Sequence, residues 1–344
     1  MVFTWYRSRS ADESGDLSHA EKWGIVEEDA ALFSAEGVWA AATSCDSMVF
    51  LWPCEHESDQ PPLIRCVATH TGEPATDFVI DWERMASISC GCDCTIRVVD
   101  LKQGKKVSKV SNNWGSATSQ AFLCIDGSFD EGRAAVGTVD GKIKVADLAA
   151  ERIVRELKSH TKNVVDVQAK WQGNLVASCS WDGLLCLSDI RVGTRSVRKL
   201  HPDKLPIYNH LAVDFERMMA VSTAWEDRLT LWDLNAGEVI KHIDSPGHLL
   251  NDLSVDWGKS TVAAGAEDGC VKIWELETSE CKQTIDCQHQ QSLVLDVDWE
   301  AGRMLTGSLD MQVKLWDLAT GACLKSFPRV RRCLTQVRLQ GRGR

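Results

Sequence analysis

The chain has 344 residues, a formal net charge of −11, 14 Trp, 14 Cys and only 2 Tyr. Its 44% apolar and 25% charged composition excludes wholesale disorder, and the lack of any run of 18 apolar residues excludes a membrane-spanning helix. Because an acidic body repels phosphates, a nucleic-acid-binding core is disfavoured as well.

The N-terminal segment, residues 1–24, is predicted to be an extension that precedes the main body of the chain. It has no apolar core of signal-peptide length, and the sequence has no N-x-S/T acceptor site, so we expect an intracellular protein of the cytoplasm or nucleus. The Cys residues are then expected to be mostly free thiols. Either Trp5–Ser10 or Trp23–Glu27 could supply a strand that covers a sheet edge.

The main body is organised as a repeat of about 44 residues. Seven phrases ending in W-D or a degenerate form follow one another at spacings of 42 to 47 residues, and their anchors are Trp52, Val99, Ala146, Ser188, Trp232, Trp274 and Trp316. An acidic residue stands six positions before every anchor, namely Asp46, Asp93, Asp140, Asp182, Glu226, Asp268 and Asp310. Spacings in this range are typical of a propeller blade of four strands.

Each unit contains short apolar runs, such as TVAAGA and VKIWEL, separated by turn residues every 8–12 positions. This pattern predicts many short strands and little helix. Glycine follows the recurrent acid in DGK, DGL and DGC, as a tight turn favours. Seven such units in a ring explain why 344 residues need not divide into separate domains.

The repeat resembles the WD-repeat family over roughly residues 30–327. The resemblance implies an all-β fold, a seven-bladed β-propeller whose blades are four-stranded antiparallel sheets. It also implies a hydrogen-bonded network of a His, a second-strand Ser or Thr, the turn Asp and the third-strand Trp. Units four and seven hold most of this network, in His160, Ser180 and Asp182 and in His289, Ser308, Asp310 and Trp316. Units two and three lack the Trp, and unit three also lacks the His, so we expect their networks to be incomplete.

Closure of the ring is expected to involve a terminal segment, because exposed sheet edges are liabilities. We predict that the propeller spans residues 25–334 and that residues 335–344 form a basic tail, either solvated or in contact with phosphates or an acidic partner. Unit one has its own candidate first strand near Ala30–Ser34. The segment Cys333–Leu339 is predicted to be one further strand, which could replace that first strand or pair elsewhere.

Local motifs of catalysis are missing, since the sequence has no P-loop, G-x-S-x-G, H-E-x-x-H or EF-hand loop. We therefore expect no enzymatic activity, no cofactor and no metal. Cys90, Cys92 and Cys94 could converge on a metal, but a structural zinc site needs a fourth ligand, so strand packing is favoured. A catalyst assembled from distant residues would show a closed polar cluster with shifted pKa values in the central channel.

The residue before each turn acid carries the main functional signal, because it is expected at one rim of the ring. These rim residues are Cys45, Cys92, Val139, Trp181, Trp225, Glu267 and Leu309, and six of the seven are apolar. The family resemblance implies peptide binding on this top face, and Trp is enriched in binding hot spots. We expect Trp181 and Trp225 to lead a protein or peptide site in which Glu267 pairs with a basic residue. Tyr208, in the loop entering blade five, is expected to border the site. Alternatively, both Trp side chains lie flat and fill gaps between blades.

Unit four carries a second signal, because Asp189 is followed two positions later by Arg191. In the family, W-D-x-R at this place marks receptors that dock on the adaptor of cullin-type ubiquitin ligases, although Ser188 replaces the Trp here. The sequence thus favours a monomeric, non-catalytic scaffold within a multiprotein complex. A ligase substrate receptor is the alternative, and a phospholipid-surface binder that uses the basic tail is a third possibility.

Overall fold

The computed structural model describes residues 38–54, 65–70, 73–111, 121–192, 196–202, 206–247, 249–289, 293–330 and 332–340. Within these ranges, 28 strands form seven four-stranded antiparallel sheets, and the single helical element is a 3-10 turn at Trp171–Gly173. The predicted seven-bladed β-propeller is confirmed. The proposed extension 1–24, its Trp5–Ser10 and Trp23–Glu27 segments, and the candidate strand Ala30–Ser34 lie outside the described residues.

Every blade has an innermost strand at the central channel and an outermost strand at the periphery. From the inside outward, blade one consists of β28 (Leu334–Leu339), β1 (Trp39–Ser44), β2 (Met48–Pro53) and β3 (Arg65–Ala68). Blade two consists of β4 (Ala75–Asp81), β5 (Ala86–Gly91), β6 (Thr95–Asp100) and β7 (Lys105–Ser111). Blade three consists of β8 (Phe122–Ser128), β9 (Arg133–Thr138), β10 (Ile143–Asp147) and β11 (Arg152–Leu157). Blade four consists of β12 (Val164–Lys170), β13 (Leu175–Ser180), β14 (Leu185–Asp189) and β15 (Ser196–Leu200).

In the same order, blade five consists of β16 (Tyr208–Asp214), β17 (Met219–Ala224), β18 (Glu226–Asp233) and β19 (Glu238–Asp244). Blade six consists of β20 (Leu250–Asp256), β21 (Thr261–Ala266), β22 (Cys270–Glu275) and β23 (Cys281–Asp286). Blade seven consists of β24 (Leu293–Asp298), β25 (Arg303–Ser308), β26 (Val313–Asp317) and β27 (Cys323–Ser326).

The ring is closed by the last strand, β28. It pairs antiparallel with β1 and contacts the innermost strands on both sides, β24 of blade seven and β4 of blade two. The segment Cys333–Leu339 therefore takes the innermost place in blade one, which was one of its two predicted roles. The predicted boundary at residue 334 is wrong for this reason. Strand β28 belongs to the propeller, since Leu334, Val337 and Leu339 are buried in it.

The apolar core of the described residues divides into seven clusters rather than one. Each cluster combines side chains of two neighbouring blades; for example, Val271 of blade six packs with Leu293 and Trp316 of blade seven, and Trp52 of blade one packs with Leu305 of blade seven. A single core would stop growing at this chain length, whereas each blade here needs only its neighbours.

Candidate functional site

The rim residues occupy equivalent places at the ends of the second strands. In six blades the backbone N–H of the rim residue donates a hydrogen bond of 2.8–3.1 Å to the carbonyl just before the innermost strand, in the pairs Cys45–Cys333, Cys92–Pro74, Val139–Ala121, Trp181–Asn163, Trp225–Ile207 and Glu267–Leu249. The second strands run in one direction around the ring, so these turns lie on one face, called the top face below. Glu267 and Trp225 are exposed there, and Cys45, Cys92, Val139, Trp181 and Leu309 are partly exposed.

Trp181 and Trp225 meet across the boundary between blades four and five. Their ring centroids are 5.9 Å apart, with an angle of 55° between the ring planes. Tilted pairs of this kind are attractive by about 0.5–1.5 kcal/mol. The contact joins two neighbouring blades, as expected if the Trp side chains filled the gap between them. However, 41% of Trp225 remains exposed. The pair therefore combines a held geometry with an accessible apolar surface.

One residue beside this pair, Tyr208, differs from the sequence prediction. Tyr208 lies in β16 rather than in a loop, pairs with Ala224 and is only 1% exposed. Its ring packs edge-on against Trp232, which places it inside blade five. Ile207 is 39% exposed, and its carbonyl accepts the N–H of Trp225. Ile207 thus takes the border position that was expected for Tyr208. The signal that the sequence offered for this position was an apolar residue directly before a strand.

The hydrogen-bonded networks expected from the sequence are present, but the His contacts a different hydroxyl from the one expected. In blade four, His160 Nδ1 lies 3.1 Å from Asp182 Oδ1, and His160 Nε2 lies 2.9 Å from Ser178 Oγ. Ser180 was expected to meet the His; instead its Oγ donates to the Lys162 carbonyl and accepts the N–H of Asp182. Burial would raise the pKa of Asp182, but the hydrogen bond and charge of His160 lower it to about 2.

Blade seven repeats this arrangement. His289 Nδ1 lies 3.0 Å from Asp310 Oδ2, and His289 Nε2 lies 2.9 Å from Thr306 Oγ1. Trp316 Nε1–H also donates to Thr306 Oγ1, at 2.8 Å. Ser308, the predicted hydroxyl, accepts the N–H of Asp310. Ser308 and Ser180 therefore support the turn acids, while the residue two positions earlier serves the His.

Blade two is more complete than the sequence suggests. His70 Nδ1 lies 2.9 Å from Asp93, and His70 Nε2 lies 3.0 Å from Ser89. Arg97 adds an ion pair of 3.0 Å to Asp93, so the network does not depend on the missing Trp. In blade three, Thr138 donates to Asp140, and Lys142 pairs with the same carboxylate at 3.1 Å.

The network hydroxyl makes a testable contribution to stability. Thr306→Val is expected to lower the free energy of unfolding by about 2–4 kcal/mol, because it leaves His289 Nε2 and Trp316 Nε1 without this partner in a buried site. Blade one offers the reverse case. Ala42 occupies the equivalent position there, and Trp52 Nε1 is buried without a hydrogen-bond partner.

Ala42→Ser should therefore raise stability by about 1 kcal/mol by supplying the missing acceptor. Urea unfolding followed by tryptophan fluorescence measures both variants. Equal midpoints for wild type and Thr306→Val would contradict the assignment.

The Cys90, Cys92 and Cys94 cluster packs in and beside β5. Cys90 and Cys94 are buried, and Cys92 is partly exposed. Burial raises the pKa of the Cys92 thiol to about 12. Across the described ranges, no three His, Cys, Asp or Glu side chains are grouped as a metal site. In the same ranges, no helix has the length and apolar character needed to cross a membrane.

A set of polar side chains on the innermost strands was missed by the sequence analysis. Five carboxylates each accept a backbone N–H of the next blade at 2.6–3.0 Å, in the pairs Asp77–Ile125, Asp126–Ala169, Asp166–Leu211, Asp252–Leu295 and Asp296–Leu339. Asn209 donates to the Leu250 carbonyl at the junction of blades five and six, and Arg338 donates to Asp77 at the junction of blades one and two. Side chains therefore join all seven blade junctions.

Two carboxylates of this set, Asp77 and Asp126, have strongly shifted pKa values. Burial raises the pKa of Asp126 to about 7, and burial raises that of Asp77 to about 6 despite the opposing charge of Arg338. Burial would lower the pKa of His210, but Asp252 and Asp166 outweigh it and raise the value to about 9. The carboxylates accept hydrogen bonds from backbone N–H groups of the next blade, so the cluster has a role in joining the blades.

Asp189 and Arg191 lie at the opposite end of blade four from Trp181, because β14 runs antiparallel to β13. The Arg191 side chain is 69% exposed and folds back on Asp189, with Nη2 2.6 Å from Oδ2. Ser188, at the position of the family Trp, is buried and lies 3.1 Å from Ser159, oxygen to oxygen. The guanidinium is thus engaged within its own turn.

Comparison with known proteins agrees with this geometry. The family described as WD domain, G-beta repeat matches residues 151–189, 237–275 and 279–317. Each match begins at or just before the outermost strand of one blade and ends with the third strand of the next. One sequence repeat therefore bridges two blades. A computationally designed protein, Ika8, superposes with a TM-score of 0.65 at 22% identity and 86% coverage of both chains, a likeness of fold alone.

Curated relatives share part of the chain. It is 25% identical over 173 residues to WD repeat-containing protein SL1-17 of Schistosoma mansoni and 27% identical over 161 residues to WD repeat-containing protein 89 homolog of Dictyostelium discoideum. It is 24% identical over 164 residues to protein NEDD1 of Homo sapiens. These matches cover 49%, 45% and 47% of this chain and 52%, 42% and 22% of the relatives, so the chain spans about half of their length or less. With the seven-bladed ring and its repeated turns, these similarities support the resemblance of the chain to the WD-repeat family, whose repeat three of its segments match.

Proposed function

We propose that the propeller is a non-catalytic scaffold that holds a peptide or protein partner on its top face, against Trp181 and Trp225. The observation that carries this proposal is the contact of the two rings across blades four and five, with 41% of Trp225 exposed at a turn. Solvated turns normally carry polar residues. An accessible Trp held in place by a second Trp supplies the rigid aromatic anchor that is enriched at binding hot spots.

The surroundings of the pair favour a partner segment with both apolar and basic side chains. Ile207 extends the apolar surface beside Trp225. Glu267, at the rim of blade six, and Asp227, next to the turn of blade five, are exposed carboxylates that can pair with Lys or Arg. The resemblance to the WD-repeat family supports protein binding as the general activity. We place this interaction in the cytoplasm or nucleus, with a monomeric propeller inside a larger complex.

The double variant Trp181→Ala with Trp225→Ala tests this site. Removing a hot-spot pair costs at least about 2 kcal/mol, so partner affinity should fall by about 30-fold or more. The full chain, immobilised, is compared with the double variant in pull-downs from its source cells. The recovered partners are then titrated directly against both proteins by calorimetry.

Val107→Ala is the matched control, since Val107 is an exposed apolar residue on β7, the outermost strand of blade two, and is not one of the rim residues. It should leave partner affinity unchanged. A double variant that keeps the wild-type melting temperature and also binds every partner with unchanged affinity would sink the proposal.

The same pull-down experiment distinguishes the ligase-adaptor alternative from binding at the top face. It places the contact at Arg191, at the opposite end of blade four from the Trp pair. Arg191→Glu should abolish recovery of a cullin-ligase adaptor if that alternative holds, and it should leave binding at the top face unaffected. Failure to recover any adaptor with the wild-type chain would remove the alternative without affecting the Trp site.

A further inference from the structure

Two cysteines face each other where the ring closes. Cys45 follows β1 and Cys333 precedes β28, and the N–H of Cys45 donates to the Cys333 carbonyl at 2.9 Å. The next residues along the seam, Ser44 and Leu334, are paired across the two strands. Opposite residues of antiparallel strands have Cα atoms about 4.5–5.5 Å apart, which lies within the range that a disulfide spans. The backbone thus places the two residues opposite each other, at a separation that a disulfide can span.

This pair is specific to blade one. At the equivalent place in the other blades, Cys92 faces Pro74, Val139 faces Ala121, and Trp181 faces Asn163. Cys45 and Cys333 are free thiols, and both are partly exposed, so a small reagent can reach them. Cys54 and Cys90, by contrast, are buried in the interior of their blades.

We propose that Cys45 and Cys333 form a reversible disulfide that locks the seam of the propeller when a small disulfide, such as oxidised glutathione, is present. One thiol attacks the small disulfide and releases one reduced thiol, which leaves a mixed disulfide on the protein. The second protein thiol then attacks the mixed disulfide and releases the other half of the reagent as a second thiol. The protein pair loses two electrons and two protons, and the small disulfide takes them up as two thiols.

The surroundings assign the order of the two steps. Burial first, and the neighbouring Cys333 thiol second, raise the pKa of Cys45 to about 11. Cys45 is therefore protonated at neutral pH and is a slow first nucleophile. Cys333 therefore captures the reagent, and Cys45 resolves the mixed disulfide. The resulting bond ties β1 to β28, which are distant in sequence and otherwise joined by hydrogen bonds and packing.

Oxidation of the full chain with a glutathione redox buffer tests this site. Non-reducing tryptic digestion and mass spectrometry should show the peptide Cys333–Arg338 joined to the peptide that contains Cys45, with the loss of two hydrogens. Fragment ions distinguish Cys45 from Cys54 in that peptide. Oxidised wild type should also unfold about tenfold more slowly in urea than the reduced form, because opening of the seam is blocked.

Cys45→Ser should keep glutathione on Cys333 and lose the effect of oxidation on the unfolding rate. Cys92→Ser is the matched control, since it changes the equivalent rim thiol of blade two and should behave as wild type. The proposal is overturned if Cys333 of the wild-type protein is recovered only as a glutathione adduct or bonded to another cysteine. It is overturned as well if the oxidised and reduced proteins unfold at the same rate.

Discussion

A chain cut after Arg332 is expected to lose cooperative folding. The cut removes β28, which contributes Leu334, Val337 and Leu339 to the buried core. At about 1.5–3 kcal/mol for each buried apolar side chain, the loss is roughly 5–9 kcal/mol. That is comparable with the whole stability of a typical native protein, about 5–15 kcal/mol. Urea unfolding, followed by circular dichroism in the far and near ultraviolet, should show no sharp transition for this variant.

A cut after Gln340 is the matched control. It keeps β28 and the two hydrogen bonds between Gln340 and Trp39, one from each backbone N–H. Its unfolding midpoint should equal that of the full chain. A variant cut after Arg332 that unfolds cooperatively at the full-length midpoint would contradict the role of β28 as the closing strand.

The second large effect is an unusual dependence of stability on pH, carried by Asp126. Burial raises its folded-state pKa from 3.8 to about 7, so the folded protein binds a proton that the unfolded chain has already released between these values. Stability contributed by this carboxyl is therefore present at low pH and is lost as the pH rises toward 7. A pKa difference of about three between the folded and unfolded states corresponds to roughly 4 kcal/mol.

His210 acts in the same direction at higher pH. Its folded-state pKa of about 9 lies above the ordinary value of 6.5, so its contribution is complete below 6.5 and is lost as the pH rises through 9. Asp182 acts in the opposite direction, because its pKa is lowered to about 2 and its contribution is lost only in acid. The melting temperature should thus fall as the pH rises from 5 to 9.

Asp126→Asn isolates the carboxyl, since the amide oxygen can still accept the N–H of Ala169. The variant should melt at a higher temperature than wild type at pH 8, with a smaller difference at pH 5. Asp130→Asn is the control in the same blade, because the Asp130 side chain is 81% exposed. Calorimetric scans from pH 5 to 9 measure both. An Asp126→Asn protein whose melting temperature follows the wild-type pH profile would refute the assignment.

The architecture was predictable because it is repeated. Anchors at spacings of 42–47 residues specify a blade, and seven of them specify the ring. The way in which the ring closes was not predictable from the sequence. The segment CLTQVRL has the same strand pattern whether it pairs with β1 or elsewhere. The position of β28 is decided by its packing between β24 and β4, two strands that are far apart in sequence.

The network hydroxyl illustrates a limit of period-two reasoning. Ser178 and Ser180 are two positions apart on β13, so both point to the same face of the blade. Only the depth of the His160 ring between the strands decides which of them it meets. The carboxylates around the axis, by contrast, left a readable signal. An acid stands 20 or 22 positions before the anchors of five units, at Asp77, Asp126, Asp166, Asp252 and Asp296.

The place of β28 in blade one also affects how the protein is made. Translation reaches β1 about 300 residues before it completes β28. At about 5–20 residues per second, the edge of β1 waits on the order of 15–60 s for its inner neighbour. During that time β1, a strand of small and apolar residues (WAAATS), is paired with β2 on one side only and exposes its other edge. A chaperone that shields this edge until the last strand leaves the ribosome would raise the yield of closed rings.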